Sequence, residues 1–194
     1  MCIRDRDVFE QIEGLSGDML IVDTPGQVEL FAFREASSHL VDVLGQGRAC
    51  LIFLFDPMLS RTPSGFVSQM LLSSIVHFRL GLPTANFLSK TDLLEPEELE
   101  TILEWGDNLD ILEVALYEES ERQANDAKSG SQRAEFAIGQ LRMMQNAAIQ
   151  PGLIPLSSEI EDGLADVLTF AQSMFGGMGD TRDGYAGDIE DERL

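Results

Sequence analysis

Lysine is almost absent from this sequence, and the charge balance is strongly acidic. Only Lys90 and Lys128 occur, and the 13 Lys and Arg residues face 34 Asp and Glu residues, which gives a formal net charge of −21 at pH 7. A surface of this sign repels the phosphate backbone of nucleic acids. We therefore expect no direct contact with nucleic acid.

Cysteines and long apolar runs are scarce as well. Cys2 and Cys50 are far apart and form no C-x-x-C pair, so the sequence predicts neither a disulfide framework nor a zinc site. No window of about 18 apolar residues occurs, which argues against a membrane-spanning helix. Charges stand at positions 4–7, where a signal peptide needs apolar residues. These absences predict a cytoplasmic protein that does not associate with membranes.

Short apolar segments alternate with helical patterns along the chain. This alternation predicts an α/β fold, a three-layer doubly wound arrangement around a mostly parallel sheet. The run over 49–55 is continuously apolar, which is typical of a strand buried on both faces. We expect strands at 19–23, 49–55, 83–89 and 152–156, and helices over 28–44, 63–80 and 161–175.

The domain organisation predicted from these patterns is one domain over 8–175. About three helices over 94–150, rich in acidic residues, would form an insertion between two strands. Residues 1–7 lack periodicity and look foreign to the rest of the chain, so we expect either a frayed terminus or an artefact of how the reading frame was delimited. Residues 176–194 are rich in Gly and Asp, which predicts a disordered acidic tail.

Polar clusters come directly after three of the predicted strands. Asp23-Thr24-Pro25-Gly26-Gln27 stands after the first strand, Ser89-Lys90-Thr91-Asp92 after the third, and Ser157-Ser158 after the fourth. Parallel strands with right-handed crossovers bring their carboxyl ends to one edge of the sheet, where ligands bind in this class of fold. The sequence therefore predicts one composite site at that edge.

The chemistry of two clusters favours a nucleotide. Asp23 is suited to hold Mg²⁺, and Gly26 lets a backbone N–H approach a phosphate because no Cβ intervenes. The Asp92 carboxylate can accept two hydrogen bonds from a single ligand. Taken singly, the clusters are also compatible with an ordinary turn and a surface ion pair.

The order and spacing of these clusters resemble a G domain, and longer stretches resemble one family in particular. The segment Val22-Asp23-Thr24-Pro25-Gly26-Gln27-Val28-Glu29-Leu30-Phe31 is similar to the phosphate-sensing segment of the GPN-loop GTPases, especially their archaeal branch. Further similarity covers Phe33-Arg34-Glu35, Phe55-Asp56 and the segment from Leu88 to Leu94. The family has a P-loop G domain of the SIMIBI class.

The resemblance implies GTP as ligand with Mg²⁺, hydrolysed by in-line attack of water on the γ-phosphate. It implies a homodimer and, from eukaryotic relatives, partners in RNA polymerase assembly. By this resemblance, Asp23 would hold Mg²⁺ through a bound water, Gly26 would contact the γ-phosphate, and Gln27 would orient the attacking water. Asp23 and Gln27 are therefore the catalytic candidates.

The resemblance also implies a guanine site of five residues: Ser89, Lys90, Asp92, Ser157 and Ser158. In it the Asp92 carboxylate would accept hydrogen bonds from the ring N–H and the exocyclic amine of guanine, a donor pair that adenine lacks. The stem of Lys90 would lie along the base and ribose, and the backbone and hydroxyl of Ser157-Ser158 would contact O6.

The sequence departs from the family in its phosphate-holding parts. The motif G-x-x-x-x-G-K-[ST] is missing, since no Gly-Lys pair occurs, and so is the Gly-Pro-Asn tripeptide. We expect an N-terminally truncated G domain that lacks its first strand and is inactive alone; a natural member without a P-loop is the other possibility. Ser89 also replaces the usual asparagine of the base motif.

Two other functions are compatible with these departures. One is a non-catalytic scaffold for dimerisation or assembly that keeps the G-domain fold without turnover. The other is a different P-loop NTPase of the same superclass that uses the sheet edge in another way.

Overall fold

Three parallel strands form one sheet in the computed structural model, which describes residues 19–24, 41, 49–126, 131–147, 149 and 151–175. The strands are β1 (Leu51–Phe55), β2 (Thr84–Leu88) and β3 (Leu153–Pro155), arranged in the order β1-β2-β3. Phe55 is in register with Leu88, and Leu88 with Pro155. The carboxyl ends of all three strands therefore lie side by side.

Helices fill the connections between these strands. Between β1 and β2 lie the short helix α1 (Pro57–Ser60) and the long helix α2 (Pro63–Leu80). A 3₁₀ turn (Thr91–Leu93) comes after β2. The helices α3 (Pro96–Asp107), α4 (Leu109–Asp126) and α5 (Ser131–Asn146) then separate it from β3, and α6 (Leu164–Phe175) comes after β3. The sequence predicted about three helices over 94–150, and the described part of that range contains three.

The ends of α2 are determined by a few residues. The Thr62 hydroxyl accepts a hydrogen bond from the Gly65 N–H at 3.2 Å, and Pro63 occupies the first turn, where a missing N–H costs nothing. At the other end Gly81 adopts φ +63° and donates its N–H to the His77 carbonyl at 2.8 Å. The predicted helix over 63–80 is confirmed.

One hydrophobic core joins the sheet to the helices. Phe55 packs against Phe66 of α2 with ring centroids 5.5 Å apart, and Phe66 packs against Trp105 of α3 at 6.0 Å. The helices α4 and α5 extend the same core with Leu112, Leu116, Leu141 and Met144, all of them buried. The inserted helices thus pack on the core that supports the strands.

Two predictions about strands are wrong. Residues 19–24 have no regular secondary structure, and Ile21 is 85% exposed. A strand exists only where a neighbour accepts its hydrogen bonds, and none of the three strands in the described ranges pairs with this segment. The strand β1 is also not buried on both faces, because Phe53 and Phe55 are buried whereas Leu54 between them is 53% exposed.

Several predicted features lie outside the described residues. They include the expected frayed terminus at 1–7, the acidic tail at 176–194 and the helix over 28–44, of which Val41 alone is described, helical and buried. The division into one domain with an insertion stays a prediction. None of the helices described here is long and apolar enough to cross a membrane.

Candidate functional site

The polar clusters after β2 and β3 meet at the carboxyl edge of the sheet. The Leu156 N–H donates to the Leu88 carbonyl at 2.8 Å, which continues the pairing of the two strands beyond β3. The Thr91 N–H donates in turn to the Leu156 carbonyl at 3.3 Å. These two bonds place the segments 89–92 and 157–158 beside each other, as the sequence predicted.

Ser89 is bonded to the neighbouring strand. Its hydroxyl donates to the Phe55 carbonyl at 2.8 Å, and its backbone N–H donates to the same oxygen at 3.0 Å. The hydroxyl proton is therefore directed at the end of β1. Ser89 therefore anchors the segment 89–92 to the end of β1 through two hydrogen bonds. The sequence alone did not predict this structural role.

The turn after Ser89 has a constrained backbone. Lys90 adopts φ +53° and ψ +45°, a left-handed conformation that costs free energy in a residue with a Cβ. Thr91 is buried, and its Oγ1 has no hydrogen-bond partner among the described residues. The Lys90 side chain is exposed, so its amine and stem remain available at the edge of the site.

Asp92 and Ser157 form the central side-chain contact of the site. The Ser157 hydroxyl donates to Oδ1 of Asp92, and Ser157 is almost completely buried at 1% exposure. The Oδ2 atom accepts no hydrogen bond from any residue that the structure describes. Because each carboxylate oxygen accepts more than one hydrogen bond, the exposed Asp92 carboxylate is free to meet a ligand that presents two donors.

The loop after β3 fixes Ser157 in place. Its N–H donates to the Asp162 carbonyl at 3.0 Å, and its Oγ accepts from the Glu159 N–H at 3.2 Å. Ser158 is exposed beside it. The resemblance gave the two serines contacts with guanine O6; the geometry adds that the Ser157 hydroxyl orients Asp92.

The phosphate-sensing cluster is described only in part. Asp23 lies in the irregular segment 19–24 with its side chain exposed, whereas Gly26 and Gln27 lie outside the described residues. Within the described ranges, no group of three or more His, Cys, Asp or Glu side chains is arranged to hold a metal ion. Mg²⁺ in nucleotide sites is held by one or two carboxylates together with phosphates, so a lone Asp23 fits at most one such ligand position.

Cys50 carries no sign of reactivity. It is half-buried immediately before β1, and burial raises the pKa of its thiol. A raised pKa keeps the sulfur protonated near neutral pH and therefore a poor nucleophile. This environment is that of a small apolar side chain and not of a reactive thiol.

Comparison with known proteins gives matches over most of the chain. A family model described as "Conserved hypothetical ATP binding protein" matches residues 3–177. The GPN-loop GTPase PAB0955 of Pyrococcus abyssi is 26% identical over 163 residues, which cover 84% of this chain and 61% of that relative. The GPN-loop GTPase 2 homolog of Dictyostelium discoideum is 36% identical over 88 residues, 44% of this chain and 28% of that protein.

The fold is similar to a solved structure as well. The crystal structure of PAB0955, a GTPase in apo form, matches with a TM-score of 0.70 and 24% sequence identity, and the match covers 89% of this chain and 65% of that one. At this identity the match supports the α/β fold with its parallel sheet. The chain spans about three fifths of the length of the Pyrococcus relative.

Proposed function

We propose that this chain, which belongs to the GPN-loop GTPase family, carries two parts of a GTP-hydrolysing switch. These are the half of the site that recognises guanine and the segment that senses the phosphates. The observation on which this proposal chiefly rests is the Asp92 carboxylate, oriented by buried Ser157 at the carboxyl edge of a parallel sheet. Family membership supports nucleotide binding, and the choice of guanine rests on the chemistry of Asp92.

Guanine selectivity would arise from matching donors and acceptors. Guanine presents the N1–H and the 2-amino group on one edge, and the two carboxylate oxygens of Asp92 accept from both. Adenine presents no such pair, so it would leave the carboxylate unsatisfied. Lys90, exposed in the same turn, would flank the base, and Ser158 with the backbone of Ser157 would face O6.

The phosphate-sensing roles extend this proposal to the segment Asp23-Thr24-Pro25-Gly26-Gln27. Asp23 would hold Mg²⁺ through a water, the Gly26 N–H would contact the γ-phosphate, and Gln27 would orient the attacking water. When bound, Mg²⁺ would neutralise part of the negative charge on the phosphates. The side chains of the protein would position the nucleotide and the attacking water, and positioning together with charge stabilisation accounts for nearly all of the catalysis in phosphoryl transfer.

Hydrolysis would also require a loop that holds the phosphates. The sequence contains no Gly-Lys pair, and hence no loop of the kind whose backbone N–H groups and lysine hold the phosphates. We propose that these 194 residues alone bind GTP weakly and do not turn it over. A homodimer, assembly partners related to RNA polymerase and a cytoplasmic location stay predictions from the family resemblance.

Photo-crosslinking at millimolar nucleotide tests this proposal. An 8-azido guanine nucleotide should label the peptide that contains residues 89–92, and excess GDP should block the labelling whereas excess ADP should not. Asp92→Ala should abolish the selectivity. Asp110→Ala removes a carboxylate on α4 that is bonded to Gln145, far from the strand ends in sequence, and serves as the matched control.

Three outcomes would count against the proposal. Equal blocking by ADP, or unchanged selectivity in Asp92→Ala, would remove the guanine assignment. Micromolar affinity for GTP with Mg²⁺ would contradict the view that phosphate holding needs a further loop. The scaffold alternative predicts no base-selective labelling at any concentration.

A further inference from the structure

Arg61 is a residue outside the predicted site that reaches into the turn carrying Asp92. It stands directly after the short helix α1, which begins where β1 ends. The Asp56 side chain accepts from the Leu59 N–H at 3.0 Å and caps this helix. The buried Gln69 side chain bonds both the N–H and the carbonyl of Asp56, at 2.6 and 3.2 Å. The backbone that leads to Arg61 is therefore firmly held.

The Arg61 guanidinium joins two other segments. Its Nη2 donates to the Leu93 carbonyl at 3.2 Å and to Oε2 of Glu98 at 3.0 Å. Leu93 is the last residue of the 3₁₀ turn that contains Asp92, and Glu98 lies in the first turn of α3. The Glu98 carboxylate also accepts from the Glu95 N–H at 3.1 Å. One nitrogen atom thus links the turn to the first of the inserted helices.

The remaining contacts of the turn lie toward the sheet. Ser89 bonds to the end of β1, Thr91 bonds to Leu156, and Asp92 accepts from Ser157. The turn itself closes with the Leu93 N–H donating to the Lys90 carbonyl and the Leu94 N–H to the Thr91 carbonyl, both at 3.1 Å. In the described structure, Arg61 is the side chain that holds the carboxyl end of the turn.

We propose that Arg61 is a positioning residue for the turn that carries Asp92, and that Glu98 of the inserted helices sets the position of its guanidinium. The orientation of the Asp92 carboxylate then depends on the insertion as well as on the sheet. That this turn recognises guanine rests on the proposed function, whereas the positioning of the turn by Arg61 does not. Displacement of the Glu98 carboxylate would thereby loosen the hold of Arg61 on the turn.

The effect is expected to be local. The Arg61 and Glu98 side chains are 39% and 38% exposed, and ion pairs at that exposure contribute little to global stability. The charge-assisted bond from Arg61 to the Leu93 carbonyl stabilises a turn that contains Lys90 in a left-handed conformation. That conformation costs free energy, so the turn depends on its remaining contacts. Loss of Arg61 should therefore open the turn without unfolding the chain.

Residue-resolved amide hydrogen exchange on the 194-residue chain without nucleotide tests the proposal. Arg61→Ala should raise the exchange rates of the Leu93 and Leu94 amides by about threefold to tenfold, and leave the amides of β2 unchanged. Arg61→Lys should restore part of the protection, because the ammonium reaches one of the two acceptors. The midpoint of thermal unfolding should stay within about 2 °C of the parent chain.

Arg122→Ala is the matched control. Arg122 forms a pair with Glu118 at 2.9 Å within α4, so its removal also breaks an exposed Arg–Glu pair, but one without contact with the turn. Unchanged exchange of Leu93 and Leu94 in Arg61→Ala, an equal rise in Arg122→Ala, or no recovery with Arg61→Lys would overturn the proposal. Because no nucleotide is added, failure of the guanine assignment would leave this result standing, and the reverse also holds.

Discussion

Ser157 illustrates how one buried hydroxyl organises the site. It donates to Asp92, accepts from the Glu159 N–H and is 1% exposed, so one buried hydroxyl joins the turn after β2 to the loop after β3. The sequence predicted Ser157 as a site residue from its place after a strand. Its partner was not predictable, because a contact between residues 92 and 157 depends on how two separate loops leave the sheet.

Replacing Ser157 by alanine should weaken the fold. We expect Ser157→Ala to lower the free energy of unfolding by about 1–2 kcal/mol, since two part-buried hydrogen bonds, one of them to a carboxylate, lose their shared hydroxyl. Ser158→Ala, at the exposed neighbouring position, should change it by less than about 0.5 kcal/mol. Urea denaturation measures both, and equal effects at the two positions would refute the role assigned to Ser157.

At the scale of the element, α2 shows what local sequence determines. Thr62, Pro63 and Gly81 mark its ends by chemistry that acts within a few residues, so the predicted bounds are correct. The segment 19–23 shows the opposite case. Its apolar pattern is that of a strand, but pairing depends on a distant neighbour, and the segment has no regular structure.

Three glycine substitutions separate conformational strain from steric contact. Gly163, before α6, has φ +72°, and a Cβ there would lie 2.0 Å from the Pro155 carbonyl oxygen. Gly163→Ala should cost about 3 kcal/mol or more, because both the backbone and the strand end must shift. Gly81→Ala, at φ +63° in open space, should cost about 1 kcal/mol.

The matched control for this series is Gly139→Ala. Gly139 lies inside α5, where a Cβ meets nothing within 4 Å, so alanine should stabilise the chain by about 0.5–1 kcal/mol. Chemical denaturation of the three variants measures their free energies of unfolding and so ranks them. A Gly163→Ala variant as stable as Gly81→Ala would show that the loop between β3 and α6 is not packed as described.

A carboxylate from the inserted helices caps α2. Glu119 of α4 accepts from the Ser64 N–H at 2.9 Å and from the Ser64 hydroxyl at 2.7 Å, at the end of α2 where its N–H groups lack partners within the helix. Glu119→Ala should lower the free energy of unfolding by about 1–2 kcal/mol. Glu118→Ala removes the exposed partner of Arg122 and should cost less than about 0.5 kcal/mol. Thermal unfolding measures the stability of both variants. Similar losses of stability in Glu119→Ala and Glu118→Ala would mean that the cap contributes no more than a surface charge.

At the scale of the whole molecule, the parallel sheet explains why much of the site was predictable. Strands that run in one direction bring the residues after them to one edge, so the order of elements in the sequence was enough to predict that Ser89 to Asp92 and Ser157 to Ser158 meet. Arg61 was not predictable in the same way. It is 32 residues from Leu93, and an arginine before Thr-Pro carries no local signal of that contact.

The proposed recognition of guanine by the Asp92 carboxylate can be tested by exchanging the nucleotide base. Guanine presents two donors to a carboxylate, whereas xanthine replaces the 2-amino donor by a carbonyl acceptor, which matches the amide of asparagine. NMR titrations of the 194-residue chain with GDP and XDP at millimolar concentration would follow the amides of Lys90 to Leu94. The parent chain should bind GDP about tenfold more tightly than XDP, and Asp92→Asn should reverse the preference. An unchanged preference in Asp92→Asn would contradict the claim.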